Sequence, residues 1–156
     1  MKNVSTGDVA AAFAAGHQAA DYLLQTRHQA DTKMNRDRAG QMACLRHTAV
    51  HTACKSAALL GLHASGRKIS LRRAVTALGV DAATHYWADR REPLLGLMEL
   101  LEAAGINGKA GFWDVGEPRE GYDDNVCLGT GKHYLDQAWH AVWTFIAALI
   151  AAGRAE

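Results

Sequence analysis

Residues 31–63 read DTKMNRDRAGQMACLRHTAVHTACKSAALLGLH, and this stretch decides the fold class. Met34, Met42, Leu45, Ala49, Ala53 and Leu60 recur at helical spacing along one side, with no proline to interrupt them. The pattern predicts one long helix from about Asp31 to His63, closed by Ala64, Ser65 and Gly66. Upstream, Val9, Phe13, Ala20, Leu23 and Leu24 share that spacing and predict a helix from about Thr6 to Thr26, with Thr6 as its N-cap. Downstream, a short helix starts at Ser70 and stops at Gly79, and Asp81 caps another that Pro93 interrupts near Arg91. Leu94 to Ala104 continues helically and Gly105 closes it. Residues 105–131, rich in glycine and polar side chains, predict a long irregular loop. The last helix runs from Lys132 to Ala152 and is apolar enough at its end to be buried against the others.

The expectation is therefore an all-α chain, a compact bundle of five to six helices forming a single domain over residues 1–156. Composition agrees, because apolar residues make up 49% of the chain while aromatics make up only 7%. The apolar share is mostly Ala and Leu, which favour helices over sheets. A chain of 156 residues can bury a sizeable core without staples. Three cysteines, Cys44, Cys54 and Cys127, with no CxxC pair argue for a reducing, cytoplasmic setting. The apolar run from Ala141 to Ala152 is too short to cross a bilayer on its own, so no membrane span is expected.

Charge is unevenly placed: residues 27–91 carry a net +8 and residues 92–156 a net −6. A basic middle beside an acidic C-terminal part suits an anionic partner, or a contact between copies of the chain. Within the basic part, residues 70–91 read SLRRAVTALGVDAATHYWADRR. This segment resembles the helix-turn-helix of bacterial DNA-binding proteins, with Gly79 at the turn and Thr84 at the fourth position of the second helix. The Tyr86 and Trp87 pair is similar to that of the winged, mercury-regulator type. The resemblance implies that Ala74, Val75, Leu78 and Val80 pack the helix pair and that the second helix faces the major groove. Lys68, Arg72, Arg73, Thr84, Arg90 and Arg91 are then the nucleic-acid-binding residues, the cations meeting phosphates. His85 takes an inward position in that arrangement. On this reading the chain is a small nucleic-acid-binding protein, a regulator or accessory protein of a mobile element, acting as a homo-oligomer rather than as an enzyme.

Two alternatives come from other residues. Tyr122, Asp123, Asp124 and Asn125 precede Gly129, Thr130, Gly131 and Lys132 at the start of the last helix, with Trp113 upstream. Glycine amides at a helix N-terminus with a lysine can hold a phosphate, and an aromatic can stack on a base, so residues 112–132 are a candidate site for a phosphorylated small molecule or nucleotide. The charge split and the apolar last helix suit instead a structural or assembly protein. Arg46 and His51 form an R-x4-H pattern that looks like the catalytic motif of the HEPN family of helical ribonucleases. That likeness implies His51 as general acid or base and Arg46 as the phosphate holder, two such motifs meeting across a dimer.

Cys44, His47, His51 and Cys54 share one stripe of a helix, and His at i and i+4 can chelate an ion. All four cannot serve one ion, since the two cysteines lie roughly 15 Å apart along the axis. The stripe reads as partly buried polar surface, and His17, His28, His63, His133 and His140 read as single residues. No metal and no cofactor is assigned from sequence.

Overall fold

A computed structural model describes residues 2–106, 108–115 and 130–153. The architecture is all-α, as expected. Its helices are α1 (Thr6–Gln18), which continues as a π-helical segment (Ala19–Leu24), α2 (Arg27–Thr32), α3 (Arg38–Ala64), α4 (Leu71–Asp89), α5 (Glu92–Ala103), the single turn α6 (Lys109–Phe112) and α7 (Gly131–Ala152). Two residue pairs, Lys2–Asn3 (β1) and Arg67–Lys68 (β2), form a parallel bridge.

The four long helices make a ring in which α1 packs on α3, α3 on α4, α4 on α7 and α7 back on α1. Because β1 and β2 are parallel and each leads into a helix, α1 and α4 start at the same end. The end of α7 meets the start of α4, where Arg73 Nη1 donates to the Ala152 carbonyl at 3.4 Å. At that end Val4, Val9, Phe13, Leu59, Ala77, Ala147, Ala148 and Ala151 form an apolar cluster. At the other end Leu94, Met98 and Trp113 form a second, joined by Trp87 and Trp139, whose rings stack at 4.6 Å. Between the two apolar clusters the core is polar.

Four expectations change in detail. The first helix is capped by Ser5, not Thr6: the Ser5 hydroxyl accepts from Asp8 N–H at 3.1 Å and the Asp8 carboxylate accepts from Ser5 N–H at 3.2 Å, a reciprocal capping box. The long helix is divided into α2 and α3 by residues 33–37, where Asp37 Oδ1 caps α3 through Gly40 N–H at 2.8 Å. Gly40 is required there, because a Cβ would overlap the Asn35 carbonyl. Gly40→Ala should therefore destabilise by about 1–3 kcal/mol, the usual cost of overpacking. Urea unfolding followed by circular dichroism measures this, and an unchanged midpoint would contradict it.

The third difference is at Gly79, where no turn forms and α4 is one helix from Leu71 to Asp89. A mid-helix glycine costs about 1 kcal/mol. Here Ala77, Asp81, His85 and Ala88 all reach the core from the opposite face, and that packing outweighs the cost. The break falls instead at Arg91, with a left-handed φ of 57°, and Pro93 in the first turn of α5. The fourth concerns α7, only partly buried: His140, Thr144, Ala147, Ala148 and Ala151 face inward, while Tyr134, Val142, Phe145 and Leu149 are exposed. By length and composition alone α7 is long and apolar enough to cross a membrane, yet its inward stripe carries a histidine and a threonine into the core.

Candidate metal centre

Each long helix brings titratable side chains four residues apart, on one face. From α1 and its π-helical continuation come His17 and Asp21; from α3, His47, His51 and Lys55; from α4, Asp81, His85 and Asp89; from α7, Asp136 and His140. The π-helical segment holds Asp21 toward α3, a distortion of the kind often found at functional sites. At Gly16 a Cβ would lie only 3.1–3.3 Å from Lys55 and Cys54, so the glycine lets α1 approach α3 closely enough for the two sets to meet.

They converge on one buried region. Asp21 Oδ1 is 2.8 Å from His51 Nε2 and 3.3 Å from His47 Nε2, and Asp21 Oδ2 is 3.1 Å from His17 Nε2. Asp89 Oδ2 is 3.3 Å from both His47 Nε2 and His85 Nε2. His140 Nε2 is 3.4 Å from Asp136 Oδ1 and 3.8 Å from Asp89 Oδ1. The rings crowd together, with centroids 3.8 Å apart for His51 and His85 and 4.2 Å for His85 and His140. His47 and His51 are 0% exposed and His85 is 2% exposed.

Hydrogen bonds account for only part of this packing: His51 Nε2 pairs with Asp21 Oδ1 at 2.8 Å and Lys33 Nζ with His47 Nε2 at 3.3 Å. Both ring nitrogens of His17 and of His85, Nδ1 of His47 and of His51, and Asp89 Oδ2 are buried without a hydrogen-bond partner. A buried unpartnered polar group costs about 1–3 kcal/mol. Several of these atoms lie within 3.3 Å of an imidazole or carboxylate neighbour but off the hydrogen-bond direction. Donors that point at a shared centre rather than at one another have this geometry. An ion about 2.0–2.2 Å from each donor holds neighbouring donors roughly 3.0–3.5 Å apart, and most of the separations above fall there.

Electrostatics follow from burial and the carboxylates. Burial pulls His51 down to about 4, against the opposing pull of Asp21. His85 is likewise lowered by burial, so its imidazole is neutral and able to donate a lone pair. Burial alone would also lower His140, but contacts with Asp136 and Asp89 outweigh it and raise the ring to about 9. Burial would raise Asp21, yet His17, His47 and His51 hold it well below the usual carboxylate range.

One helical turn away lies a second polar layer, in which Lys55 and Thr144 are paired through Asp81 Oδ1 while Asp81 Oδ2 is buried without a partner. Lys55 Nζ donates to Asp81 Oδ1 at 2.6 Å and to the Thr144 hydroxyl at 3.3 Å, and sits 5.7 Å from the centre of the Phe13 ring. On the opposite side Lys33 Nζ is 2.9 Å from Asp89 Oδ1 and 3.3 Å from His47 Nε2. A small cavity of about 100 Å³ between α1 and α7, lined by His17, Gln18, Gln137, His140 and Thr144 among others, reaches the cluster. At about 30 Å³ each, roughly three water molecules fill that volume.

The nucleic-acid-binding residues singled out from sequence are not gathered on one face. Lys68, Arg72 and Arg73 are exposed around the start of α4, and Arg91 is exposed beyond its end. Some 17 residues of helix, roughly 25 Å, separate Arg73 from Arg90. Arg90 is engaged with the Lys33 carbonyl at 2.8 Å and the Asn35 carbonyl at 2.6 Å, and the Thr84 hydroxyl bonds back to the Val80 carbonyl at 2.9 Å. In the loop reading, Trp113 is buried in the second apolar cluster, Thr130 caps α7, and Gly131 N–H donates to the Val115 carbonyl at 2.7 Å. Lys132 is half-buried, while Asp123, Asp124 and Gly129 lie outside the described residues. Arg46 is exposed while His51 is buried, so the R-x4-H pair does not meet within this chain. Of the Cys/His stripe, His47 and His51 join the cluster; Cys44 faces the Tyr86 carbonyl at 3.8 Å, its thiol raised by burial to about 11, and Cys54 is half-buried.

His17 and His140, single in sequence, each have an aspartate four residues on or back. That spacing, repeated at His85 and Asp89 and matched by His47 and His51 on α3, is the signal by which the site is legible. Comparison with family models, with curated proteins and with solved structures finds no match for this chain.

Proposed function

We propose that the protein is a metalloprotein, with a divalent first-row transition-metal ion bound by Asp21, His47, His51 and His85, and that this ion activates water for hydrolysis of a small ligand. The observation that carries the reading is the convergence of buried imidazoles on a carboxylate inside a helical core, with both ring nitrogens of His85 left without a hydrogen-bond partner. Their four donor atoms lie within 4.8 Å of one another. Imidazole-rich sites with a carboxylate suit Zn²⁺, Fe²⁺ or Mn²⁺ rather than Ca²⁺ or Mg²⁺. A bound ion of this kind lowers the pKa of its water toward neutrality. The nearest cavity opens beside His17 and His140, at the edge of the cluster.

Titration of chelator-treated protein with Zn²⁺ and with Mn²⁺ by calorimetry, paired with thermal melts, tests this. Ion at about 1,000 times its dissociation constant should stabilise by about 4 kcal/mol, raising Tm by roughly 10 °C for a chain of this size. No uptake of any first-row ion would end the proposal. Metal-dependent cleavage of p-nitrophenyl phosphate or p-nitrophenyl acetate tests the hydrolytic half; tight binding without turnover would leave a structural ion only.

Exposed Lys68, Arg72 and Arg73 favour nucleic-acid binding as a second reading, using one end of α4 and β2 rather than a helix pair. Fluorescence anisotropy with random duplex DNA should then show binding that weakens with salt, and Arg72→Ala with Arg73→Ala should reduce it for every sequence. Binding indifferent to salt would count against it. The exposed apolar stripe of Tyr134, Val142, Phe145 and Leu149 favours self-association, which light scattering of the purified chain reads directly.

A further inference from the structure

We infer that the centre is dinuclear: a second divalent ion binds at Asp89, Asp136 and His140, and the Asp89 carboxylate bridges it to the ion of the first set. This rests on the metal-binding reading above and adds to it the number of ions and the residue that joins them. The donors are too many for one ion, because His17, Asp21, His47, His51, His85, Asp89, Asp136 and His140 all face the same region. Transition-metal sites of this kind take four to six ligands.

The donors fall into overlapping sets. Asp21, His47, His51 and His85 form one group and Asp89, Asp136 and His140 another, and His17, His85 and His140 form a third that shares a residue with each, donor atoms lying within 4.8 Å inside every group. Asp89 stands between the first two with one oxygen toward each. Oδ2 lies 3.3 Å from His47 and His85 of the first group, and Oδ1 lies 3.8 Å from His140 of the second. His85 and His140, one from each group, have ring centroids 4.2 Å apart, so the two groups are adjacent. His17, close to His85 and His140, is a further donor at their junction.

A cation already meets this carboxylate. Lys33 Nζ is 2.9 Å from Asp89 Oδ1 and 3.3 Å from His47 Nε2, so an ammonium stands between a carboxylate and an imidazole drawn from the two groups. A positive charge is therefore stable at that point, and Lys33, on the chain between α2 and α3, can turn toward solvent when an ion replaces it. Three carboxylates neutralise most of the charge of two divalent ions, which makes the pair tolerable inside a low-dielectric core.

The test is the metal content of the full chain loaded with Mn²⁺ and passed through a desalting column, together with its electron paramagnetic resonance spectrum. Two ions per chain with an exchange-coupled signal are expected for the wild type. Asp136→Asn, near-isosteric at a partly exposed position, should retain one ion per chain with the six-line signal of isolated Mn²⁺. One ion per wild-type chain, or two without coupling, would overturn the dinuclear inference and leave the single-ion reading standing. No ion at all would overturn both. The wild-type measurements decide the question even if Asp136→Asn folds poorly.

Discussion

His51→Ala should weaken binding of the first ion by at least about a hundred-fold, more than the 10–100-fold typical of losing only a partner behind a metal ligand. His51 is fully buried and its Nε2 is the closest ring nitrogen to Asp21, at 2.8 Å, so no neighbouring donor can swing into its place. In thermal melts the ion-dependent rise in Tm should vanish for His51→Ala, while the metal-free protein should move far less. Losing the ring leaves a cavity but also removes a buried Nδ1 that has no partner, and the two effects oppose each other. Cys54→Ala and Arg46→Ala are the informative controls. Cys54 belongs to the Cys/His stripe and Arg46 to the R-x4-H pattern, and neither lies in the cluster. Both should bind metal like the wild type. A Cys54→Ala protein that lost the ion would return the site to the sulfur-containing stripe along α3.

Lys55→Ala should be the most destabilising single change, by about 3–5 kcal/mol, because it strands Asp81 in the core. Lys55 is 0% exposed and Asp81 3% exposed, and their 2.6 Å contact is closed off from solvent. Urea unfolding should show the full loss, with Tm lower by roughly 10 °C or more. The double variant Lys55→Met with Asp81→Leu removes both charges and keeps similar volume, and it should recover most of that stability. If Lys55→Ala alone costs under about 1 kcal/mol, the pair is hydrated in solution and the polar core is more open than the packing implies. Metal binding by the double variant separates the two polar layers. The Lys55–Asp81–Thr144 group has its own partners one turn from the histidines, so ion affinity should change little once the fold is restored.

The helices could be read from the chain because their evidence is local. Spacing of Val9 and Phe13, the break near Pro93, the stop at Gly105 and the start of the last helix near Lys132, observed at Gly131, each depend on a few neighbouring residues, and all are found. Errors arose where packing overrode local preference. Gly79 reads as a turn, but the burial of Ala77, Asp81, His85 and Ala88 carries α4 straight through it. Residues 33–37 read as helix, but Asp37 caps a new one and Gly40 packs on Asn35. The helix-turn-helix likeness depended on the first of these positions.

By itself the sequence determined that the chain is helical, where most helices begin and end, and that His, Asp or Lys side chains recur four residues apart along each long helix. Only the tertiary structure decided that these pairs face one another. Spacing of four places two side chains on the same face of one helix but says nothing of which neighbour that face meets. The ring of α1, α3, α4 and α7, the close approach at Gly16 and the π-helical turn carrying Asp21 set those rotations. Residues as far apart in the chain as His17 and His140 thereby become neighbours at 5.0 Å between ring centres.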